Sequence, residues 1–465
     1  MVHVRSLALD ASVRRVGGGR VLIGGSPLKL IRLTEAGAAV IDCIEHGKSL
    51  PETTATQALV DRLLDAGVIH PSYTAGQPIA AVTVVIPAYR TSQARLRQIV
   101  DECPDAAAVV IVDDASPVPI ADIAGATVVR RGVNGGPAAA RSTGLAQVFT
   151  PFVAFVDTDV EVSSGWLTAL LAHFADPRVA LVAPRVESAT GRSVLARYEL
   201  LHSPLDLGRR PARVRAGTRV GYVPSAAVVA RVDAVRSIGG FDESLRVGED
   251  VDLVWRLDEA GHRVRYEPGV TVHHEPRPTV RTWLGQRYRY GTSAAPLASA
   301  HPGNLAPVRV SGWSAASWLI AVLGWPVIGG GIAVATTALL ARKLGDIPDG
   351  KREAIRLAGL GHAFAGRSLA SAVTRAWWPL AAVAAVVSKR CRRVVLLAAV
   401  APATFDWFTK RPQLNPASYV ALRLLDDLAY GTGLASGALR ERSLDALTPD
   451  LTSWPKPRSP ASRDR

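Results

Sequence analysis

Hydrophobic and polar positions fall into stretches of different period along the chain. Between residues 13 and 33, the short β-prone runs Val13–Val16, Arg20–Ile23 and Lys29–Leu33 alternate with Gly17-Gly18-Gly19 and Gly24-Gly25-Ser26-Pro27, which is the chemistry of hairpin turns. Thr34 then caps a helix with Val40, Ile41 and Ile44 on one face and Gly47 at its end. A second helix carries Leu59, Leu63 and Leu64 and stops at Gly67. The pattern predicts a small winged-helix-like unit over residues 1–75, with Tyr73–Pro78 as a linker.

From Ala81 the period changes. Val82–Ile86, Val109–Val112 and Phe152–Val156 are unbroken apolar runs of the kind buried on both faces of a parallel sheet, and helix-prone stretches separate them. This predicts an α/β domain over residues 80–300, doubly wound around a mostly parallel sheet, with ligands at the carboxyl ends of its strands. A third region, 305–410, is apolar. Ser311–Ala341 holds 31 residues without a charge, enough to cross a bilayer, although Pro326 and Gly329-Gly330-Gly331 threaten to split it. Ala376–Ser388 and Val394–Phe405 are too short to cross singly, and Lys389-Arg390-Cys391-Arg392-Arg393 lies between them, as in a helix resting on anionic lipid. Residues 411–465 hold one amphipathic stretch, Tyr419–Tyr430, and a polar tail read as disordered, Trp454–Arg465.

Charge sharpens this division. The net charge of +14 points to an anionic partner, and the window Ala341–Arg411 holds thirteen Lys/Arg against four Asp/Glu. Its position beside the apolar stretches favours a membrane surface over nucleic acid. The second helix of the first unit offers only Arg62, so no dense basic face exists there for DNA. Three scattered cysteines exclude a disulfide framework and a cysteine-based zinc module. No apolar run follows a basic start, so the catalytic part is expected at the cytoplasmic face of the membrane.

Candidate chemistry gathers at the predicted strand ends. The first run ends in Ile86-Pro87-Ala88-Tyr89, the second in Asp113-Asp114-Ala115-Ser116 and the third in Asp157-Thr158-Asp159. Alternate carboxylates leaving a strand can present oxygens to Mg²⁺ or Mn²⁺ shared with a diphosphate. Gly135-Gly136-Pro137 opens a helix whose free N–H groups favour phosphate, with Arg141 within reach of the same anion. Glu249-Asp250 starts a later helix; the macrodipole alone can explain an acidic pair there, and a general base is the functional reading for Asp250. His273, in His273-His274, is a candidate metal ligand.

The ordered set IPAY, VDDAS, NGGPAAARSTG, VDTD, GGFDE, GEDVDLVWR and VHHEPR resembles the inverting family 2 glycosyltransferases of the GT-A fold over residues 82–295. That resemblance implies sugar transfer from a nucleotide-diphosphate donor. It implies donor contacts at Asp113, Asp114, Arg141 and Asp157, with Asp113 and Asp114 reading base and ribose. Pro87 and Tyr89 at the first strand end and Gly136 at the helix start are further candidate donor contacts. The resemblance further implies a divalent cation (Mg²⁺ or Mn²⁺) at Asp157 and Asp159, to which His273 is added as a candidate ligand from its place at a strand end, and catalysis by Asp250 with Glu249 beside it. Gln286, Arg289 and Tyr290 resemble the acceptor-side Q-x-x-R-W motif of processive members, with Tyr290 in place of Trp. Ala115 and Ser142 stand where Gly and Asn are usual. The first unit resembles the PqqD-like peptide-recognition domains, which implies binding of a precursor peptide. Together the parts resemble the glycosyltransferases of mycofactocin biosynthesis, which implies UDP-glucose as donor and a peptide-derived, premycofactocin-like acceptor lengthened by β-linked glucose. The alternative is a rhamnosyl- or galactosyl-type transferase of the cell envelope acting on a lipid-linked acceptor.

Overall fold

A computed structural model describes residues 4–73, 81–104 and 106–453. The tail Trp454–Arg465 and nearly all of the linker Tyr73–Pro78 lie outside those residues. The chain divides into two compact units, 1–286 with 412–414, and 287–411 with 415–465.

The first unit begins with β1 (Val4–Leu9), β2 (Arg14–Val16), β3 (Val21–Gly24), β4 (Lys29–Arg32), α1 (Glu35–Glu45), α2 (Thr54–Asp65) and β5 (Ile69–Tyr73). Thr34 and Thr53 cap the two helices by accepting from the N–H groups of Gly37 and Thr56. β2, β3 and β4 form an antiparallel meander, and β1 pairs antiparallel with β5, a pairing that the periodicity left unmarked. Leu22, Ile31, Ile41, Leu63 and Ile69 close a separate small core.

The central sheet uses β6 (Val82–Ala88), β7 (Ala108–Asp113), β8 (Thr127–Arg130), β9 (Phe152–Val156), β10 (Val160–Glu161), β11 (Val179–Ser188), β12 (Ala212–Val214), β13 (Ala227–Arg231) and β14 (Arg263–His274). Around it lie α3 (Gln93–Asp101), α4 (Pro137–Ala146), α5 (Trp166–Leu171), α6 (Val194–His202), α7 (Val232–Ser237) and α8 (Glu249–Glu259). Strand order is β10-β14-β11-β13-β9-β6-β7-β8, with β12 paired to β14. β6, β7, β8, β9, β11 and β14 run one way, while β10, β12 and β13 run against them. The three runs singled out by their unbroken apolarity are β6, β7 and β9, and Val84, Ile111 and Ala154 are fully buried. Because β13 is antiparallel, its first residue pairs with the last of β9. The carboxyl ends of β6, β7 and β9 and the amino end of β13 therefore share one rim.

α9 (Val280–Thr292) passes from the first unit into the second. The second unit continues with α10 (Ala294–Ala300), β15 (Arg309–Ser311), α11 (Gly312–Val322), α12 (Pro326–Lys343), α13 (Gly350–Arg375), α14 (Trp378–Val387), α15 (Lys389–Lys410), α16 (Pro416–Glu441) and β16 (Asp450–Thr452). The uncharged stretch 311–341 is broken at Gly324-Trp325-Pro326, where Gly324 takes φ +100° and Pro326 opens α12. The glycine triplet does not break it; Gly329, Gly330 and Gly331 continue within α12. Among the described residues no single helix is long and apolar enough to cross a membrane, whereas α13 and α14, bent by 87°, pass that test only as a pair. The basic cluster is the first turn of α15 rather than a connector. Trp325, Val327, Leu380, Val386, Val387 and Phe408 all expose most of their surface.

Candidate active site

Three strand ends and two helix starts build the rim. At the end of β7, Asp113 is fully buried: Oδ1 accepts from the Ser116 N–H at 2.8 Å, and Oδ2 accepts from the Ile120 N–H and from Arg130. Burial alone would raise its carboxyl, but these donors outweigh burial and hold it below the usual carboxylate range. Asp114 accepts from the N–H groups of Gly135 and Gly136 at 2.9 and 2.8 Å, and Arg131 approaches to 3.0 Å. Both carboxylates are thus engaged in folding the loop. Asp114 takes one backbone N–H on each oxygen, and Gly136, which shapes the turn at φ +87°, gives its own N–H to Asp114. A buried carboxylate that meets backbone donors in its own loop is satisfied there first.

Pro87 lies within β6, and Tyr89 follows it, 44% exposed with the Arg90 guanidinium 5.1 Å from its ring centre. Tyr89 is the most open of the expected donor contacts. The Asp157-Thr158-Asp159 turn is held from behind by Arg95 of α3, whose Nε donates to Thr158 O at 3.0 Å and Nη2 to Val160 O. No feature of the periodicity singled out Arg95.

Arg141 projects from the second turn of α4, and its side chain is 3% exposed. Nη2 donates to Asp157 Oδ1 at 2.6 Å and Nη1 to Glu249 Oε1 at 2.8 Å, with the guanidinium 5.7 Å from the Phe241 ring centre. Burial disfavours its charge, but Asp157 and Glu249 more than compensate, and its pKa is raised. Instead of standing free for a diphosphate, Arg141 ties the end of β9 to the start of α8. α4 reaches this position because Gly144 presses on the sheet; a Cβ there would stand 2.3 Å from Val85 Cγ1.

Glu249 is buried against Arg141, which leaves Asp250 as the carboxylate nearer the surface. Gly248 at φ +88° starts α8, and Asp250 accepts from the N–H of Val251 at 2.8 Å and, weakly, from that of Ser225 at 3.4 Å. Ser225 precedes the antiparallel β13, so strand direction delivers it to the same rim. Burial, followed by the charge of Glu249, pushes the Asp250 carboxyl up to about 7, against the pull of Arg141.

Asp159 meets His274, not His273. His274 Nε2 lies 3.2 Å from Asp159 Oδ2, and Arg277 lies 3.4 Å from the same oxygen. His273 faces the opposite side of β14, half exposed and 3.8 Å from Glu187, because side chains alternate along a strand. Burial would raise the Asp159 carboxyl, yet His274 and Arg277 hold it below the usual range, whereas in Asp157 burial prevails over Arg141 and raises it. Among the described residues no three His, Cys, Asp or Glu side chains converge tightly enough to hold a metal alone. Gln286 is buried at the end of the first unit, and Arg289 and Tyr290 open the second, all three on α9.

Residues 83–237 match the Glycosyl transferase family 2 profile. The chain is 44% identical over 466 aligned positions to the pre-mycofactocin glycosyltransferase of Mycobacterium tuberculosis (strain CDC 1551 / Oshkosh), covering 96% of this chain and 97% of that protein. A shorter likeness, 28% over 103 residues, joins it to the succinoglycan biosynthesis protein ExoA of Rhizobium meliloti (strain 1021), across 21% of this chain and 31% of that one. Among solved structures, the mannosyltransferase PcManGT from Pyrobaculum calidifontis in complex with GDP-Man and Mn²⁺ overlaps 75% of this chain and 89% of that one, loosely, at TM-score 0.35 and 16% identity. Its near-complete match to a relative well above a third identical, with the family 2 profile over the sheet that carries the rim, makes this chain a member of the pre-mycofactocin glycosyltransferases.

Proposed function

We propose that the chain is an inverting hexosyltransferase that moves glucose from UDP-glucose onto a peptide-derived, premycofactocin-like acceptor and extends it as a β-linked chain. One observation carries this reading. A single buried guanidinium joins Asp157, on the donor side of the rim, to Glu249, which places Asp250 beside the same charge network. In the transfer, an acceptor hydroxyl oxygen attacks the sugar C1 from the face opposite the diphosphate. Asp250 takes the hydroxyl proton, the C1–O bond to the diphosphate breaks, and UDP departs. A carboxylate pushed up to about 7 is a stronger base than one near 4, and still ionises at neutral pH. Arg141 keeps the base helix and the strand end in register.

Asp159 and His274 offer a carboxylate and an imidazole side by side, a donor pair that fits Mn²⁺ or Mg²⁺ when diphosphate oxygens and water complete the shell. Such an ion, when bound, supplies charge compensation for the departing diphosphate. The exposed apolar faces and the basic cluster of the second unit support a location on anionic lipid at the cytoplasmic face of the membrane. In the three-stranded meander β2-β3-β4, β2 and β4 are the edge strands among the described residues, which suits capture of a precursor peptide by strand addition.

The test is incubation of the full chain with a panel of UDP- and GDP-sugars and a premycofactocin-like acceptor, followed by mass spectrometry. Serial additions of hexose mass from UDP-glucose alone are expected. Transfer only to lipid-linked glycans would overturn the acceptor assignment.

A further inference from the structure

Within the second unit, α11, α13 and α15 enclose an apolar groove of about 1170 Å³. Small residues hollow its floor. Ala363, Gly366 and Ala370 come from α13 and Ala398 and Ala401 from α15, while Trp318 of α11 fills the space where a Cβ on Gly366 would stand 2.5 Å from its ring. The Trp318 indole is fixed by donation to His362 O at 2.7 Å. Leu360, Phe364, Leu397 and Phe405 form the rim and are 59–66% exposed. So much large apolar surface facing one groove is costly in water and marks a binding surface.

The ends of the groove differ in charge. At one end Arg367 is neutralised by Asp406 at 2.7 Å. At the other, Val394 follows directly on Lys389, Arg390, Arg392 and Arg393, all exposed and none with a carboxylate partner among the described residues. Arg390 donates to Val322 O at 3.1 Å, and Val322 lines the groove too, so the cations stand at its mouth. From Val394 to Phe405 the α15 wall runs ~16 Å at 1.5 Å per residue. That is about half of a ~30 Å hydrocarbon core, the depth of one leaflet.

We propose that this groove seats one acyl chain of an anionic phospholipid, with the phosphate held by Lys389, Arg390, Arg392 and Arg393. The proposal rests on the reading that the second unit lies on a membrane surface. It adds a defined lipid to that reading: an apolar tail matches the lining, and a headgroup anion matches the one end where cations are left uncompensated. A neutral apolar ligand would leave that end unanswered.

The experiment uses the full chain, delipidated and then mixed with vesicles of phosphatidylcholine alone or of equal parts phosphatidylcholine and phosphatidylglycerol. Native mass spectrometry should show one phosphatidylglycerol per chain, retained at least tenfold over phosphatidylcholine, with the preference falling as salt rises. Ala398→Trp, which fills the floor, should cut retention at least tenfold. R392Q with R393Q should keep a lipid but lose the headgroup preference. V386S with V387S, on the exposed face of α14 and outside the groove, should weaken vesicle sedimentation while leaving the bound lipid in place. Because Ala398→Trp can disturb folding, phosphatidylglycerol brominated on its acyl chain provides a second readout: it should quench wild-type tryptophan fluorescence, and Trp318→Phe should remove part of the quenched signal. Full lipid retention in a folded Ala398→Trp, quenching indifferent to Trp318, or a lipid-free dimer closing the groove would each overturn the proposal. Sedimentation with vesicles but no retained lipid would sink the groove and leave the membrane reading standing. Failure to sediment with either vesicle would remove both.

Discussion

Asp250 carries opposing demands in a single side chain. The proposed role as general base calls for a basic carboxylate, while burial and the neighbouring Glu249 resist its charge. Its ordinary value is about 3.9 and its folded value about 7, so the folded chain binds the extra proton between those limits. Stability should therefore fall as pH rises from about 4 to about 7, with the whole cost present above 7. Asp250→Asn removes that cost. Its melting temperature should exceed that of the wild type at pH 8 and match it near pH 4, as read by thermal denaturation. The same variant should retain UDP binding and lose turnover by ~10²–10⁴, the usual contribution of a general base. In the wild type, turnover should rise with pH through an apparent pKa near 7, and this limb should be missing from the residual rate of the Asn variant. Arg141→Lys is a separate case. A lysine keeps the charge but cannot bridge two carboxylates in a fixed fork, so one of the two charge-assisted hydrogen bonds to Asp157 and Glu249 is lost, at a cost of about 1.5–3 kcal/mol. Denaturant titration measures that loss.

At the level of elements, the rim depends on how closely α4 lies on the sheet. The Ala138–Ala140 run is buried and Gly144 has no room for a side chain, so the helix sinks until Arg141 reaches both acids. Gly144→Ala would push its methyl into Val85 and Val112, and overpacking of this kind costs about 1–3 kcal/mol. The expected outcome is a lower melting temperature together with a lower kcat, because α4 carries Arg141 outward as it lifts. A melting shift with unchanged kcat would show that the sheet yields instead of the helix. The acidic start of α8 serves twice in the same way. Its charges complement the helix dipole, and the same turn presents Glu249 inward and Asp250 toward the rim.

On the scale of the first unit, the N-terminal meander and helices are fastened to the sheet by acids facing arginines. Asp10 is buried between His70 at 2.9 Å and Arg219 at 2.8 Å, and Arg263 binds Asp61 and Asp65 while itself 2% exposed. Burial would raise the Asp10 carboxyl, but His70 and Arg219 hold it far below the ordinary range. A depressed carboxylate contributes stability above its unfolded value and loses it as pH falls toward the folded one. The N-terminal piece should thus loosen below about pH 4, seen as faster limited proteolysis ahead of residue 74. Arg219→Ala should bring the same loosening at neutral pH, since Asp10 would remain buried with one partner fewer.

By itself, the sequence determined the element types. Short, β-branched apolar runs bounded by turn residues read as strands buried on both faces, and glycine-punctuated short runs as hairpins, so β6, β7, β9 and the meander were legible in the sequence, whereas the alanine-rich apolar runs of 376–388 and 394–405 fold as the helices α14 and α15. It also determined which residues crowd the strand ends, because Asp114, Asp157 and Asp250 each follow a recognisable boundary. Tertiary structure decided what those residues do. Whether an N–H of Gly136 is free, whether His273 or His274 faces Asp159, and whether Arg141 stands open or bridges two acids all depend on partners 16 to 115 residues away in sequence. Periodicity is a local property, set by neighbours along the backbone, while hydrogen-bond satisfaction and desolvation are set by neighbours in space. The antiparallel entry of β13, invisible in its composition, is what carries Ser225 to Asp250 and completes the rim.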